Sequence, residues 1–99
     1  MFIDNYINQI KTLCIKYEVK HLFVFGSVLT NNFNDSSDID FLVDLKSNDP
    51  FDYSENYFSL KFNLENLLQR PIDLLEQKGL KNQYLIEKIN QTKRLIYAA

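Results

Sequence analysis

Phe25-Gly-Ser-Val-Leu-Thr-Asn-Asn-Phe-Asn-Asp-Ser-Ser-Asp-Ile-Asp-Phe-Leu-Val-Asp44 is the stretch of sequence that decides the fold. It joins an apolar strand that ends at Phe25 to a second strand that begins near Asp38. Side chains alternate between the two faces of a strand, so Asp38 and Asp40 project to one face and Ile39 to the other. The stretch therefore predicts two strands linked by a loop, with two carboxylates side by side at the head of the second strand.

Two neighbouring carboxylates repel each other unless a cation lies between them or one of them is protonated. Mg²⁺ prefers oxygen ligands and is usually held by one or two carboxylates together with the phosphates of a substrate. The turn at Gly26 and Ser27 offers backbone N–H groups for such phosphates. Each signal also has a purely structural interpretation, because Gly-Ser pairs form ordinary turns and Asp38 is typical of a residue that begins a strand. Asp44 lies about 13 Å further along the strand than Asp40, so we expect it at the surface.

A third carboxylate occurs in the apolar run from Pro71 to Leu75, which predicts a third strand. Ile72 and Leu74 point to one face of this strand and Asp73 points to the other. We expect the strand to be central and Asp73 to be buried, where a carboxylate without a partner is costly. If this strand pairs with the one that carries Asp40, Asp73 completes a cluster of three carboxylates.

The apolar periodicity of the whole chain predicts an α/β (α+β) fold, a small mixed β-sheet with helices packed on it. The predicted order is helix, strand, turn, strand, helix, strand, helix, over residues 3–17, 19–25, 26–30, 38–45, 51–68, 71–75 and 84–96, with residues 95–97 extended. We expect the aromatic residues of the long helix to belong to the core: Tyr53, Tyr57, Phe58 and Phe62. We expect the basic residues near the C-terminus to form a solvated helix face: Lys78, Lys81, Lys88, Lys93 and Arg94.

Two single residues of chemically reactive types, Cys14 and His21, have structural interpretations. Cys14 falls on the apolar stripe of the first helix, so we expect a small buried side chain rather than a nucleophile. His21 opens the first strand, where we expect a partly exposed polar residue at a strand edge.

The composition sets the limits of the function. The 99 residues are 45% hydrophobic and 24% charged, which predicts a single domain over residues 1–99. The net charge of -2 argues against broad electrostatic binding of nucleic acid. The single cysteine excludes an intramolecular disulfide and fits a reducing, cytoplasmic compartment. No apolar run has the length of a signal peptide or a membrane span, so we expect no membrane partner.

The motif Gly26-Ser27, ten intervening residues and then Asp38-x-Asp40 resembles the signature of the DNA polymerase β-like nucleotidyltransferase superfamily. The short chain is similar to the minimal nucleotidyltransferase (MNT) branch, and the resemblance spans nearly the whole sequence. It implies a nucleotidyltransferase palm in which Gly26 and Ser27 hold the triphosphate of ATP. It also implies that Asp38, Asp40 and Asp73 hold two Mg²⁺ ions, and that Asp73 is the general base for the attacking hydroxyl.

The resemblance also implies a reaction and a partner. MNT proteins of this size resemble antitoxins that pair with a helical HEPN-type ribonuclease toxin and transfer AMP from ATP to one of its tyrosines. A palm without a second domain needs such a partner to present the acceptor. The resemblance therefore implies a hetero-oligomer with the partner, or a homo-oligomer of this chain. Two alternatives stay open: transfer to a small molecule with a partner subunit, and a non-catalytic antitoxin that acts by binding alone.

One position departs from the family pattern. Many members carry Gly-Ser-x-Ala-Arg-Gly, whereas residues 26–31 read Gly-Ser-Val-Leu-Thr-Asn. Thr30 therefore replaces the arginine that helps to neutralise the triphosphate, which puts the nucleotide affinity in question. Arg70 or a lysine from elsewhere in the chain is a candidate to supply the missing charge.

Overall fold

The computed structural model describes residues 1–99 as one mixed sheet with three α-helices. The strands are β1 (Val19–Phe25), β2 (Ile39–Leu45), β3 (Ile72–Glu76) and β4 (Arg94–Ala98), and the helices are α1 (Ile7–Lys16), α2 (Pro50–Leu68) and α3 (Gln83–Thr92). Short 3-10 helices cover Phe2–Tyr6, Gly26–Leu29 and Gln77–Gly79. The strand order is β3-β2-β1-β4; β1 runs antiparallel to β2 and β4, and β2 runs parallel to β3. The predicted fold class is confirmed, and none of the helices has the length and apolarity needed to cross a membrane.

One face of the sheet packs on α1 and α2. The odd-numbered residues of β2 are at most 1% exposed, and they share one core cluster with Cys14 of α1 and with Leu60 and Leu64 of α2. The spacing of four residues places Leu60 and Leu64 on the same side of their helix. Burial raises the pKa of the Cys14 thiol to about 12, so the thiol stays protonated at neutral pH. The expectation of a small buried side chain is therefore confirmed.

The even-numbered residues of β2 face the opposite side of the sheet, which α3 covers in part. Leu42 is 2% exposed and lines a small cavity of about 210 Å³ together with Ile86 and Ile89 of α3. This packing shields the middle of the face. On this face, aspartates occupy the two ends of β2: Asp40 at the beginning and Asp44 towards the end.

Capping residues define both ends of α2, and the C-terminal cap leads into the next strand. The side chain of Asp49 accepts a hydrogen bond of 2.8 Å from the backbone N–H of Phe51, which satisfies a free donor of the first turn. Gln69 ends the helix in the left-handed conformation, with a φ of 55°. The chain then reverses into β3, and the carbonyl of Pro71 accepts a hydrogen bond from the N–H of Ile39. The heads of β2 and β3 are thereby joined.

The prediction was wrong about the edges of the sheet. The C-terminal segment forms a complete fourth strand, β4, which pairs with β1, whereas the sequence predicted a helix with a short extended end. β3 lies at the opposite edge rather than in the centre, and Asp73 is exposed rather than buried. Ile72 and Leu74 are buried from one side alone, so their apolar pattern does not distinguish an edge strand from a central one.

The aromatic residues of α2 divide into two groups. Tyr53 and Tyr57 pack against the core, as predicted, and their hydroxyls reach β3 by donating hydrogen bonds to the Glu76 carboxylate and the Leu74 carbonyl. The prediction was wrong for Phe58 and Phe62, which are each 63% exposed. A separation of four residues places these two rings on one stripe of the helix, and this stripe faces away from the sheet.

Candidate active site

The structure brings the three predicted aspartates together at the head of the β2–β3 pair. Asp40 and Asp73 are direct partners in the parallel register, and Asp38 lies immediately before β2. Neighbouring strands are about 4.8 Å apart and partners in register project to the same face, so the carboxylates are adjacent. Asp38 and Asp73 are exposed, whereas Asp40 is half-buried between them and β1. All three lie on the face that α1 and α2 leave open.

The electrostatics of this cluster favour a cation. Burial raises the pKa of the Asp40 carboxyl above its ordinary value, and the neighbouring charges of Asp73 and then Asp38 raise it further. No group of three acidic, histidine or cysteine side chains in the chain is already arranged as a metal cage. Mg²⁺ does not need such a cage, since it commonly combines one or two carboxylates with substrate phosphates and water. The donor set therefore fits a magnesium ion that is shared with a nucleotide.

Gly26 lies directly against the Asp40 carboxylate. Asp40 is the β1–β2 partner of Phe25, so Gly26 is the first residue beyond the paired end of β1. A Cβ atom at Gly26 would collide with Oδ2 of Asp40, and the φ of Gly26 is +80°, a conformation that L side chains rarely adopt. Both the space and the backbone conformation therefore require glycine. The result is bare backbone at Gly26, with the Asp40 carboxylate in the space that a side chain would fill.

Ser27 continues from this bare backbone into the 3-10 helix Gly26–Leu29, which lies within the turn predicted over residues 26–30. The carbonyl of Ser27 accepts two hydrogen bonds of 2.9 Å from Thr30, one from its backbone N–H and one from its hydroxyl. Thr30 therefore closes the turn. Its side chain is engaged within the turn and does not substitute for an arginine that would reach a phosphate.

Arg70 holds the loop that precedes β2. Its Nη1 donates hydrogen bonds to the carbonyls of Asn34, at 3.1 Å, and Ser37, at 3.0 Å. Its guanidinium carbon also lies 4.5 Å from the ring centroid of Phe2 and 4.6 Å from that of Phe33. These contacts hold Arg70 against the loop through Nη1 and the face of the guanidinium, while its buried Nε has no hydrogen-bond partner. We therefore assign Arg70 to the loop before β2.

Arg70→Met is expected to lower the free energy of unfolding by about 2–4 kcal/mol, because it removes charged hydrogen bonds and two cation–π contacts. Nucleotide binding should weaken as well, since Asp38 follows directly after Ser37. Arg70→Lys is the matched control: it retains the charge but loses the planar fork, and should fall between Arg70→Met and wild type. Urea unfolding and calorimetric titration with Mg²⁺ and an ATP analogue measure both effects. Wild-type values for Arg70→Met would contradict this role.

A separate polar cluster occupies the far end of the same sheet face. The side chain of Asp44 is only 13% exposed; its Oδ1 lies 3.8 Å from Nζ of Lys78 and its Oδ2 lies 4.0 Å from Nδ1 of His21. The prediction of a surface position for Asp44 was therefore wrong, because the 3-10 helix Gln77–Gly79 brings Lys78 over it. His21 is partly exposed, as expected, and belongs to this cluster rather than to the three aspartates.

A cleft of about 820 Å³ opens on the other side of Gly26 and is called here the Gly26 cleft. It is lined by 12 residues: Met1, Phe25, Gly26, Val28, Leu29, Thr30, Asn31, Leu85, Lys88, Ile89, Thr92 and Arg94. Sequence reasoning missed it, because Lys88 and Arg94 were expected on a solvated helix face. Only the folding of α3 and β4 against the turn after β1 gives these residues a common wall.

The chain matches the family model for polymerase beta nucleotidyltransferases over residues 8–99. It is 36% identical over 87 residues to "Putative protein adenylyltransferase MJ1379" of Methanocaldococcus jannaschii, covering 88% of this chain and 84% of that protein. A solved structure of a "putative minimal nucleotidyltransferase" is similar with a TM-score of 0.76 and 25% identity, covering 93% of this chain and 90% of that chain. The fold is also similar, with a TM-score of 0.68 and 18% identity, to a chain in the structure of a tri-AMPylated Shewanella oneidensis HEPN toxin with its MNT antitoxin, covering 100% of this chain and 74% of that chain. The chain therefore belongs to the polymerase β nucleotidyltransferase family, among its minimal members.

Proposed function

We propose that this nucleotidyltransferase is an antitoxin that uses ATP and Mg²⁺ to transfer AMP to a tyrosine hydroxyl of a HEPN-type toxin. The observation that carries the proposal is the register that sets Asp40 opposite Asp73, directly beside the bare backbone of Gly26. Phosphoryl transfer depends mainly on positioning and on charge stabilisation, and this arrangement combines a carboxylate cluster with a phosphate-binding turn.

Each site residue has a distinct role in the proposed reaction. Asp38 and Asp40, with Asp73, would hold two Mg²⁺ ions, which would supply charge neutralisation for the phosphates when bound. The backbone N–H groups of Gly26 and Ser27 hold the triphosphate. The acceptor oxygen forms a bond to the α-phosphorus, the bond from that phosphorus to the bridging oxygen breaks, and pyrophosphate leaves. Asp73 takes the proton from the acceptor hydroxyl.

The position of Asp73 favours an acceptor on a macromolecule. β3 is an edge strand and Asp73 is exposed, so the general base lies on the outer rim of the sheet. A tyrosine on the surface of another protein can reach this rim without entering a closed pocket. The name of the relative from M. jannaschii and the AMPylated toxin in the S. oneidensis complex support the same class of acceptor.

The direct test uses a HEPN-type toxin whose gene neighbours that of this protein. The purified toxin is incubated with this protein, ATP and Mg²⁺, and its intact mass is measured. Added AMP units on a tyrosine, located by peptide mass spectrometry, are the expected result. Transfer to small-molecule hydroxyls with no change in the toxin would overturn the choice of acceptor.

A non-catalytic antitoxin is the second candidate, and Thr30 in place of the family arginine is the observation that favours it. The same experiment distinguishes the two candidates. Inhibition of the toxin's ribonuclease activity without ATP, and without any change in toxin mass, would support inhibition by contact alone.

Asp73→Asn is expected to reduce AMP transfer by about 10²–10⁴-fold, because the amide cannot take the proton. ATP affinity should fall much less, since Asp38 and Asp40 remain. Asp52→Asn is the control, because Asp52 is also an exposed aspartate but lies on α2. Single-turnover transfer rates and ATP titrations separate the two effects. An unchanged transfer rate in Asp73→Asn would exclude it as the general base.

A further inference from the structure

The triphosphate of ATP needs a positive charge that the turn after β1 does not provide. Thr30 stands at the position of the family arginine, and its hydroxyl is bonded to the Ser27 carbonyl. Arg70 is fixed between two aromatic rings and two carbonyls of the loop before β2. The charge must therefore come from another element that borders Gly26.

The register of the sheet places a basic residue on the far side of Gly26 from the carboxylates. Asp73 pairs with Asp40, Asp40 pairs with Phe25, and the neighbouring Val24 pairs with Arg94, the first residue of β4. Arg94 therefore begins at the same end of the sheet as the two carboxylates, and a strand spacing of about 4.8 Å places its backbone about 10 Å from that of Asp40. Its partner Val24 belongs to the core cluster on the opposite face, so Arg94 lines the Gly26 cleft from around the end of β1 rather than from the face that carries Asp40.

A second basic residue faces the same space from α3. Lys88 lines the Gly26 cleft together with Arg94, and no aspartate or glutamate is among the lining residues. The cleft is therefore positively charged, although the whole chain has a net charge of -2. Neither residue forms a salt bridge; Nζ of Lys88 lies 5.5 Å from the ring centroid of Tyr84.

We infer that Lys88 and Arg94 form the subsite for the β- and γ-phosphates of ATP in the Gly26 cleft. They replace, from the C-terminal part of the chain, the charge that Thr30 does not carry. The inference rests on the proposed nucleotidyl transfer and names the residues that bind the leaving pyrophosphate. The nucleotide then spans Gly26, with its α-phosphate at the aspartates and its two terminal phosphates at the basic pair.

The test compares two nucleotides, one with and one without the β- and γ-phosphates. A non-hydrolysable ATP analogue and AMP, each with Mg²⁺, are titrated by calorimetry into wild type, Lys88→Met, Arg94→Met and the double variant. The double variant is expected to bind the analogue at least about tenfold more weakly, because it loses the charged hydrogen bonds of both side chains to the terminal phosphates. The AMP affinity should stay within about twofold of wild type, since AMP lacks both terminal phosphates.

Matched variants control for charge and folding. Lys81→Met removes the same charge from an exposed residue that does not line the cleft, and should leave both affinities unchanged. Lys88→Arg keeps the charge and should retain most of the analogue affinity. Both target side chains are exposed, so urea unfolding should be close to wild type for every variant.

Each other outcome overturns the inference in a recognisable way. Wild type that binds no ATP analogue would refute the proposed function and this subsite together. Wild-type affinity for the analogue in the double variant would refute the subsite alone and leave the proposed function standing. An equal loss for AMP and for the analogue would assign the pair to the nucleoside or to the fold.

Discussion

Gly26→Ala is expected to abolish AMP transfer almost completely while the protein still folds. The new Cβ collides with Oδ2 of Asp40, and the backbone is held at a φ of +80° that alanine tolerates poorly. The strained residue should cost about 1–3 kcal/mol of unfolding free energy. Displacement of the Asp40 carboxylate by about 1 Å should reduce transfer by at least about 10²-fold. Circular dichroism with urea unfolding and single-turnover transfer measure the two effects separately.

The chain contains a matched control for this substitution. Gly79, the only other glycine, would place a Cβ 3.8 Å from the Cβ of Glu76, an ordinary van der Waals contact, and its φ is not positive. Gly79→Ala should therefore keep wild-type transfer and gain a few tenths of a kcal/mol in stability, because the unfolded chain loses freedom. Equal activities of Gly26→Ala and Gly79→Ala would show that close contact between Gly26 and Asp40 is not required.

Asp40→Asn is expected to lose AMP transfer by about 10³-fold and yet to be more stable than wild type at neutral pH without Mg²⁺. The loss follows from removing a central metal ligand, whose charge stabilisation is worth several kcal/mol. The gain in stability has an electrostatic origin. Burial and the charges of Asp73 and Asp38 raise the pKa of the folded Asp40 carboxyl above the ordinary value of 3.8, so the ionised form is disfavoured in the folded state.

The sign of the pH dependence follows from linkage. The contribution of Asp40 to stability is fully present below the ordinary carboxyl pKa and is lost as the pH rises through the raised pKa of the folded state. The stability difference between Asp40→Asn and wild type should therefore grow over this interval and then level off. Urea unfolding in a pH series without divalent ions measures it. Added Mg²⁺ should stabilise wild type and have little effect on the variant.

Asp44→Asn is the control for Asp40→Asn, because Asp44 lies on the same strand and the same face. Asp44 is placed near Lys78 and His21, far from Gly26, so its substitution should preserve transfer within a few-fold. Its stability should fall rather than rise at neutral pH, since the favourable contact between its carboxylate and the Lys78 ammonium is lost. Wild-type transfer by Asp40→Asn would contradict the placement of Asp40 in the catalytic cluster. A rise in stability for Asp44→Asn would contradict a stabilising role for Asp44.

Much of the candidate site was predictable from the local pattern of the sequence. The alternation of β2 places Asp38 and Asp40 on one face whatever the rest of the fold, and the turn at Gly26 and Ser27 follows directly from the end of an apolar strand. Asp73 was predictable as a third candidate, because it interrupts an apolar strand. The exposure of Asp73 was not predictable, since a strand that is buried on one side has the same apolar pattern as a strand that is buried on both sides.

The sequence by itself determined β1, β2, β3, the three helices and the faces on which the aspartates project, because these properties depend on residues that are near neighbours along the chain; β4 became a strand only through its pairing with β1. Only the tertiary structure decided that Asp40 lies opposite Asp73 and against Gly26, that Lys78 and His21 approach Asp44, and that Lys88 and Arg94 share a cleft with the turn after β1. These contacts join residues that are distant in sequence. Their pairing follows from strand order, register and helix packing, which minimise the free energy of the whole chain rather than of any one segment.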